Sequence, residues 1–355
     1  MRIAVDVGYG YTKGISDTGK WNVFPSVVAP AQDRTMMALF GGDGREDEYV
    51  RLREGGDVSE RFIGTLALRS PLAAYAIARD RVDHPATRLL LAAAVARLMP
   101  EVQNSGIHLI TGLPFEHYRT QRERFESMLR NLDVTVEFPE AGKVRRVRFE
   151  RVTLFVQGGA SIYAWLFDDF GRLKRHDLWM SGAVVSAVNV GFRTVDIVSF
   201  RLGDRVTLEP ALSFTIEDEL GGIMVRRMVQ DAFYRETGYR PSLAQVEEIL
   251  GGGGTVRFEG RLYDFGDTLR QARRMIAEAI RDHLIARLGD RLSFIHTILL
   301  TGGGALELKP YLDLGRVAVE VDGDGQFADA RGYLILGRMI EAQERARVTP
   351  ESLSK

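Results

Sequence analysis

The sequence contains no cysteine, and this absence removes several classes of chemistry at once. Disulfide bonds, thiolate metal sites and a cysteine nucleophile are all excluded. Histidine is scarce, with 6 residues scattered over the chain, so a histidine-based metal cluster is not expected. No apolar run approaches the length of a membrane span, and we expect no membrane association. The first residues pass directly into an apolar strand, so we expect no signal peptide and a cytoplasmic location.

Net charge is nearly absent as well, since 47 lysines and arginines stand against 48 aspartates and glutamates. This balance gives no overall field that would attract nucleic acid, so we expect no direct nucleic-acid binding. The arginine-rich stretch 145–151 is interpreted as a solvated strand face, because no aromatic stacking platform interleaves with its arginines. The length of 355 residues is too great for one ordinary core, which predicts two lobes.

The first fifteen residues are the stretch around which the rest is organised, and they predict a strand, a tight turn and a returning strand. Residues 3–5 suit a buried strand that ends at Asp6, and two glycines then permit a tight turn. The turn would present backbone N–H groups, a hydroxyl and an ammonium, which are the donors that a polyphosphate needs. The residues expected to contact it are Gly8, Tyr9, Gly10, Tyr11, Thr12 and Lys13.

A second hairpin of the same kind is predicted over residues 183–200. Asn189 ends its first strand as Asp6 ends the first strand of the earlier hairpin, so the two hairpins could close on a phosphate chain from opposite sides. Asp6 and Asn189 would each hold Mg²⁺ through water, because Mg²⁺ usually keeps several of its waters. The turn residues expected to contact the nucleotide are Gly191, Phe192, Arg193 and Thr194.

Two further stretches complete the candidate site. Gln157 is predicted at the start of a helix between the hairpins, where it could orient an attacking water. Lys13 would neutralise charge on the β- and γ-phosphates. A buried strand over 295–301 ends in Gly302, Gly303 and Gly304, which let the backbone approach a purine or an α-phosphate closely.

Each of these features also has a simpler interpretation. The first hairpin could be an ordinary glycine turn with solvated charges, and the three glycines a plain turn. Gln157 could be a helix cap, and Asp196 a charge on a strand surface. Their occurrence together in one order along the chain is harder to obtain by chance, and it favours the nucleotide site.

Other segments carry predictions about secondary structure alone. Residues 40–57 are polar and contain glycine, which predicts an exposed loop or a turn between short strands. Helices are predicted over 86–99, 217–235 and 330–345. The alanine and leucine content of the first of these helices suggests burial on more than one side.

The order of the motifs resembles that of the actin-like ATPases of the ParM type, including their archaeal relatives. D-V-G-Y-G-Y-T-K resembles the phosphate-1 motif of that family, and N-V-G-F-R-T-V-D resembles phosphate-2. Q-G-G-A-S resembles the connect-1 segment, and F-A-D-A-R-G-Y-L resembles connect-2. L-L-T-G-G-G-A-L-E-L resembles the adenosine motif, the most specific of the set. F-P-S at 24–26 and I-T-G-L-P at 110–114 are further family-like stretches, so the resemblance covers essentially the whole chain.

The resemblance implies an α/β actin-like fold, of the ribonuclease H-like kind, in which mixed sheets flanked by helices form two lobes around a nucleotide cleft. Lobe I would comprise residues 1–166 and 330–355, and lobe II residues 167–329. Gln157 falls where the family has its hydrolytic glutamine or glutamate. Asn189 stands where many members place a metal-facing aspartate, which leaves one negative charge less and puts hydrolysis rate and metal dependence in question. Glu219 is our choice for the ribose contact.

The implied activity is binding and hydrolysis of ATP or GTP with Mg²⁺, coupled to assembly into filaments. In ParM-type systems the filament moves plasmid DNA through a DNA-binding adaptor, so the expected partners are other copies of the chain and such an adaptor. A sugar-type kinase of the same fold is one alternative, although Gln157 favours water over a sugar hydroxyl as the nucleophile. An MreB-like cytoskeletal scaffold is another, although such filaments often use an N-terminal membrane element, and we expect none before Arg2.

Overall fold

The computed structural model describes residues 1–31, 45–76, 82, 84–101, 106–216, 219–321, 323 and 325–348. Within them lie two large β-sheets, one small sheet and ten α-helices. The strands of the first sheet are β1 Arg2–Val7, β2 Tyr11–Ser16, β3 Trp21–Pro25, β4 Val27–Pro30, β5 Tyr49–Glu54, β6 Asp57–Ile63, β7 Ala74–Tyr75, β8 Ile107–Leu113, β9 Asp133–Phe138 and β10 Lys143–Val156.

The strands of the second sheet are β11 Val184–Val190, β12 Val195–Arg201, β13 Thr207–Leu208, β14 Phe214–Ile216, β17 Ile295–Thr301 and β18 Ala318–Val321. The small sheet pairs β15 Thr255–Phe258 with β16 Arg261–Asp264. The helices are α1 Gly64–Leu68, α2 Pro85–Leu98, α3 Phe115–Arg130, α4 Gly159–Leu166, α5 His176–Met180, α6 Gly222–Thr237, α7 Leu243–Gly251, α8 Gly266–Leu288, α9 Ala305–Leu308 and α10 Ala328–Val348.

The two large sheets share one plan. In the first, the antiparallel hairpin β1–β2 is continued on the β1 side by the parallel strands β8 and β10. In the second, the antiparallel hairpin β11–β12 is continued on the β11 side by the parallel strands β17 and β18. Beyond β10 the first sheet extends through antiparallel pairs in the order β9-β5-β6-β4-β7. Both sheets are therefore mixed, and both hairpins predicted from the sequence are confirmed.

The central strands are buried because apolar residues occupy both of their faces. Ile3, Ala4 and Val5 of β1 are fully buried, and every residue of β11 is buried. A continuous apolar run of this kind is typical of a strand covered on both sides. Asp6 therefore lies close to the end of the buried strand β1, and Asn189 close to the end of the buried strand β11.

Two helices fix how the first sheet is covered. Helix α2 packs on it and is buried on nearly all sides, as its alanine and leucine content predicted. Helix α10 packs against α4 and against β1. A Cβ atom on Gly332 would overlap the carbonyl oxygen of Ala160, so a glycine is required for α10 and α4 to approach this closely. None of the described helices combines the length and hydropathy needed to cross a membrane.

The predicted exposed loop over 40–57 needs correction. Residues 40–44 lie outside the described residues, and residues 49–54 form strand β5, which pairs with both β6 and β9. The strand tolerates its polar composition because its arginines form ion pairs across the sheet: Arg51 Nη1 lies 3.2 Å from Glu137 Oε2. Val50, by contrast, is fully buried. The turn that the glycines predicted is confined to Gly55 and Gly56.

The helix predicted over 217–235 begins later than expected. Residues 217 and 218 lie outside the described residues, and α6 starts only at Gly222. Glu219 precedes this start and has a left-handed backbone, with φ of 56°. Such a backbone does not continue a right-handed helix, so the assignment of Glu219 to a helix is wrong.

Candidate functional site

The turns of the two hairpins contact each other, one from each large sheet. A Cβ atom on Gly10 would lie 2.7 Å from Phe192 Cδ2, so only glycine permits this contact. Beside it, the guanidinium carbon of Arg193 lies 5.9 Å from the centre of the Tyr9 ring. The two hairpins thus border one space, and the residues that follow β10 and β17 line it as well.

This space is a cavity of about 390 Å³, a volume within the range of small-molecule sites. Most of the residues predicted from the sequence line its wall: Asp6, Gly8, Tyr9, Gly10, Tyr11, Lys13, Gln157, Asn189, Gly191, Phe192, Thr194, Gly302, Gly303 and Gly304. Thr12, Arg193 and Glu219 are described residues that do not belong to the wall. The structure therefore brings together residues that lie up to about 300 positions apart in the chain.

Asp6 and Lys13 form an ion pair across the first hairpin. They are directly opposed in the β1–β2 register, and Lys13 Nζ donates to Asp6 Oδ2 over 2.8 Å. Only 5% of the Asp6 side chain and 12% of the Lys13 side chain are exposed. Charges this well buried are retained in pairs, because an unpaired charge would be costly in such a place. The ammonium is thus held in the cavity wall, next to the carboxylate.

Thr12 does not present its hydroxyl to the cavity, contrary to the sequence prediction. Its side chain is fully buried, and Thr12 Oγ1 lies 2.9 Å from Ser26 Oγ. Ser26 in turn donates to the carbonyl oxygen of Gly8 over 2.7 Å. Alternation along β2 explains the difference, since Lys13 faces the cavity and its neighbour must face the other way. Thr12 and Ser26 hold the turn in place from behind.

Gln157 follows β10 and leads into α4, as predicted. Its Nε2 donates to Asp6 Oδ1 over 3.0 Å. Because an ionised carboxylate only accepts hydrogen bonds, the amide nitrogen must be the atom that faces Asp6. The carbonyl oxygen Oε1 is the other end of the amide and is the atom that could accept a hydrogen bond from a water molecule.

Asn189 is bonded to a residue that sequence reasoning missed, Asp329 at the start of α10. Asn189 Nδ2 donates to Asp329 Oδ2 over 2.7 Å. The same carboxylate accepts from the backbone N–H of Gly158, at 3.0 Å to Oδ1 and 2.9 Å to Oδ2, and from that of Ser161 at 3.0 Å. Asp329 therefore connects the end of β11, the start of α4 and the start of α10. We call Asp6, Lys13, Gln157, Asn189 and Asp329 the carboxylate cluster.

The Asp329 carboxylate is held in an unusual electrostatic setting. Its side chain lines the cavity but the residue is only 5% exposed. Burial, followed by the charge of Asp6, raises its pKa to about 7, against the lowering effects of the Gly158 N–H and the Lys13 charge. Two carboxylates thus share one nearby lysine. The only sequence signal for Asp329 is its place in the stretch F-A-D-A-R-G-Y-L, which resembles connect-2.

Asp196 is buried, so its interpretation as a strand-surface charge is wrong. It is 3% exposed and accepts from Thr215 Oγ1 over 2.6 Å and from the Phe115 backbone N–H over 3.3 Å. It also lines the cavity, below the turn of the second hairpin. These bonds join the second sheet to the start of α3 and hold the turn of the second hairpin in position.

The three glycines after β17 permit a close approach of the backbone. Gly302 has φ of 89°, and a Cβ atom there would overlap both Asn189 Oδ1 and the carbonyl oxygen of Val190. Gly303 has open space around its Cβ position. A glycine is thus required at 302 for the end of β17 to lie against the end of β11, and the wall at 303 is bare backbone.

The cavity wall also has apolar members, which are Leu250, Leu269, Ile276 and Leu308. An ion pair belongs to the same wall, with Arg273 Nε 3.0 Å from Glu307 Oε2. An apolar slot with a few polar groups suits a flat heterocyclic base.

A second polar connection, separate from the carboxylate cluster, joins the first sheet to the helices that follow strand β14 of the second sheet. Tyr75 of β7 donates its hydroxyl to Glu247 Oε1 of α7 over 2.6 Å. Glu247 also accepts two bonds from Arg226 of α6, at 2.5 and 2.8 Å. The Tyr75 and Phe192 rings lie 4.5 Å apart between centres, and the Arg226 guanidinium lies 4.8 Å above the Phe192 ring. We call these four residues the Tyr75 bridge; sequence reasoning did not find it.

Glu219, chosen for the ribose contact, takes part in ion pairs instead. One of its oxygens lies 3.7 Å from Arg193 Nη2, and the other pairs with Arg227. It does not line the cavity. The ribose assignment therefore has no support from the geometry, while Arg226 and Glu247, seven and twenty-eight positions further on, do line the wall.

The donor set fits a magnesium ion held through water rather than an ion whose ligands are all protein side chains. Among the described residues there is no group of three or more His, Cys, Asp or Glu side chains that could hold a metal. Asp6 keeps lone pairs beyond those used by Lys13 and Gln157, and Asn189 keeps its carbonyl oxygen. Mg²⁺ is typically bound in this way, by one or two carboxylates, several waters and the phosphates of a substrate.

Two family models match the chain, one in each half. The model described as "Actin like proteins N terminal domain" matches residues 4–159. The model described as "Archaeal actin homologue MreB-like, C-terminal" matches residues 187–314. A curated relative, the archaeal actin homolog of Thermoplasma volcanium, is 24% identical over 93% of this chain and 97% of its own length.

Solved structures give the same result. The chain is similar to the protein in the structure of a 15-stranded ParM filament from Clostridium botulinum, with 29% identity, a TM-score of 0.84 and coverage of 95% of this chain and 99% of that one. The archaeal actin homolog Ta0583 in complex with ADP shares the fold, with 21% identity, a TM-score of 0.75 and coverage of 97% and 99%. The predicted actin-like fold, with mixed sheets flanked by helices, is confirmed.

Proposed function

Because the chain belongs to the actin-like ATPase family, a family of filament-forming proteins, we propose that it binds ATP or GTP with Mg²⁺ in the cavity, hydrolyses it, and assembles into filaments of its own copies. The observation that carries the proposal is the contact of the two hairpin turns over a cavity that holds Asp6, Lys13 and Gln157. The complex of the archaeal actin homolog Ta0583 with ADP supports the proposal.

Several residues of the wall have a proposed task. Bound Mg²⁺ would supply positive charge that neutralises the phosphates. Asp6 and Asn189 would hold its waters, and Lys13 would neutralise charge on the terminal phosphates. Gln157 would orient the attacking water through its carbonyl oxygen, while its amide nitrogen stays on Asp6. The base would lie in the apolar slot, with Gly303 giving its plane room against the backbone.

Assembly would follow from closure of two lobes on the nucleotide. We propose the division expected from the sequence, with residues 1–166 and 330–355 in one lobe and 167–329 in the other. The carboxylate cluster joins the two, so occupation of the cavity would change their relative position. Head-to-tail contacts that do not close into a ring produce open helical filaments.

The cellular task that we propose is segregation of plasmid or other DNA through a DNA-binding adaptor. With a net charge of −1, the chain has no overall field that would attract DNA. A separate DNA-binding adaptor would therefore have to provide the contact with DNA. A cytoplasmic location belongs to the same proposal. The ParM name of the similar filament protein is what supports this task.

A pelleting experiment tests the proposal. The protein is centrifuged without nucleotide, with ATP and with GTP, each with Mg²⁺ and with EDTA, and Lys13→Ala serves as the variant. We expect Mg²⁺-dependent pelleting with at least one nucleotide, and weaker nucleotide binding in Lys13→Ala by roughly tenfold or more. Equal pelleting under all conditions, together with no measurable binding of either nucleotide, would contradict it.

A further inference from the structure

Residue 189 is neutral, although the matching position of the first hairpin carries a carboxyl group. Asp6 is the last residue but one of β1, and Asn189 is the last residue but one of β11. A carboxyl group is nevertheless close to Asn189, because Asp329 Oδ2 lies 2.7 Å from Asn189 Nδ2 and Asp329 lines the same cavity. The two side chains are 140 positions apart in the sequence.

We propose that Asp329 is a positioning residue of the metal site, which supplies the negative charge that residue 189 lacks and turns the Asn189 carbonyl toward the cavity. The inference rests on the proposed function, since it assigns one more residue to the same site. An asparagine–aspartate pair makes the same hydrogen bond whichever of the two positions holds the charge. The site would therefore keep its negative charge, which would lie on residue 329 instead of on residue 189.

The orientation of the Asn189 amide follows from its partner. Asn189 Nδ2 donates to Asp329 Oδ2, so the carbonyl oxygen Oδ1 of the same amide faces the opposite way. The flanking glycines agree, because Nδ2 is the amide atom nearest the Cβ position of Gly158 and Oδ1 the one nearest that of Gly302. Oδ1 thus lies on the side of the three-glycine stretch, where an oxygen could accept from a water of the metal.

The charge balance of the cluster also favours this pairing. Asp6 and Asp329 both lie near the single ammonium of Lys13. An aspartate at 189 with Asp329 still present would place two carboxylates in contact with no cation between them, which is strongly unfavourable in a buried site. An asparagine at both positions would leave Asp6 as the one negative charge of the cluster.

A purely structural role for Asp329 is the interpretation that must be excluded. Its carboxylate accepts from the backbone N–H groups of Gly158 and Ser161 and so caps the start of α4. An asparagine oxygen caps a helix about as well as an aspartate oxygen. Asp329→Asn therefore keeps most of the cap and removes the charge, which separates the two roles.

The experiment compares four proteins: the parent, Asp329→Asn, Asn189→Asp and the double variant with the two residues exchanged. At pH 8, which lies above the pKa of about 7 of the Asp329 carboxyl group, binding of a fluorescent, non-hydrolysable ATP or GTP analogue is titrated against Mg²⁺ and repeated in EDTA, and Tm is measured for each protein. Loss of a residue that orients a metal-facing group typically costs about 10- to 100-fold in metal affinity. We expect Asp329→Asn to need more Mg²⁺ by about that factor, with binding in EDTA unchanged.

The exchanged variant gives the decisive comparison. We expect it to recover the Mg²⁺ dependence of the parent, and Asn189→Asp alone to lower Tm through repulsion of the two carboxylates. Ser161→Ala is the matched control, because it removes the 2.5 Å bond from Ser161 Oγ to the Gly158 carbonyl at the same helix start without changing charge. It should lower Tm and leave the Mg²⁺ titration unchanged.

Two different failures can be told apart. If the parent binds nucleotide with Mg²⁺ dependence and Asp329→Asn does so equally well, or the exchange restores nothing, then Asp329 is only a cap and the inference is overturned. If the parent binds neither nucleotide analogue under any condition, the proposed function itself fails, and the inference with it.

Discussion

The carboxylate cluster and the Tyr75 bridge both join the first-sheet side of the molecule to the second-sheet side, but they do so with different chemistry. In the bridge, Glu247 receives two bonds from Arg226 and one from Tyr75, and aromatic rings surround the ion pair. In the cluster, Asp6 and Asp329 share one lysine and lie in the cavity wall. The bridge thus pairs one carboxylate with one guanidinium, whereas the cluster has two carboxyl groups for one ammonium, and a bound cation would favour the ionised form of both carboxyl groups.

This difference leads us to expect two separate functions. Changes in the cluster should alter metal-dependent binding and hydrolysis, because its groups line the place proposed for the phosphates. Changes in the bridge should alter how fast the two sides separate and therefore how fast nucleotide leaves. The following variants test that separation.

The largest effect is expected from Asp6→Asn. The substitution keeps the shape of the side chain and removes the charge next to the proposed metal, so hydrolysis should fall by about 10²- to 10³-fold, the scale of one preorganised electrostatic contact. Asp6→Ala should be more damaging to folding, because it leaves Lys13 buried without its partner at a cost of about 3–5 kcal/mol. Phosphate release at saturating nucleotide is the measurement. Parent-like turnover in a folded Asp6→Asn protein would remove Asp6 from the site.

Gln157→Ala should have the next largest effect. If the side chain orients the attacking water, turnover should fall by about 10²-fold while nucleotide binding changes little. Filaments of the variant should then form and should decay more slowly than those of the parent. Phosphate release and light scattering are followed in parallel after a single addition of nucleotide.

An exposed glutamine on α8 provides the control for that experiment. Gln271→Ala removes a side chain of the same kind on a helix surface and should behave as the parent does. Parent-like hydrolysis and filament decay in Gln157→Ala would exclude the proposed role. Failure of Gln157→Ala to assemble would point to the helix-cap interpretation of this residue.

Tyr75→Phe should have a smaller effect on a different step. It removes one hydrogen bond to a carboxylate and keeps the ring against Phe192, a loss of about 1–2 kcal/mol. We expect nucleotide to dissociate about five- to thirtyfold faster, with the hydrolysis step unchanged. Displacement of a fluorescent nucleotide measures the rate. Tyr49→Phe is the control, because its hydroxyl bonds Glu60 at 2.8 Å within the first sheet alone, and an equal acceleration there would contradict the role of the bridge.

The smallest effect is expected from a contact that lies outside both regions. His108 bonds Glu341 of α10 at 2.7 Å and Thr153 at 2.9 Å. Burial, and then the charge of Arg151, lowers its pKa, against the raising effect of Glu341. The folded protein therefore binds fewer protons than the unfolded chain below pH about 6.5, so stability falls as the pH is lowered.

The matching experiment compares the parent with His108→Gln. The difference in Tm between pH 8 and pH 5.5 should be smaller in the variant, and nucleotide affinity at pH 8 should be the same in both. An identical pH dependence would show that His108 does not contribute, and a changed affinity would show that this contact is coupled to the cavity.

The sequence predicted the parts of the site that are local in the chain. Both hairpins, the place of Gln157 at a helix start and the three glycines could be found because each lies in one short stretch with a characteristic turn or strand pattern. Two expectations about local geometry were wrong: the Thr12 hydroxyl does not face the cavity, and Glu219 does not lie on a helix. Strand alternation turns Thr12 away from the cavity, and Glu219, with its left-handed backbone, precedes the helix that was expected to carry it.

The long-range pairs could not be predicted in this way. Asp329 bonds Gly158 across 171 positions, and Tyr75 bonds Glu247 across 172. Neither pair follows from periodicity or spacing, because both depend on how separately formed elements pack. Strand β5 was missed for a related reason: its charged residues look solvent-exposed until Arg51 and Glu137 meet across two strands.

A single-turnover experiment on the parent, Gln157→Ala, Tyr75→Phe and the double variant tests the central claim most directly. One preparation with bound nucleotide is followed for cleavage of the terminal phosphate and for release of the nucleoside product. Separate functions predict that Gln157→Ala slows only cleavage, that Tyr75→Phe speeds only release, and that the double variant shows both changes added together. Two single variants that change the same step, or a double variant whose effects do not add, would contradict the separation of the carboxylate cluster from the Tyr75 bridge.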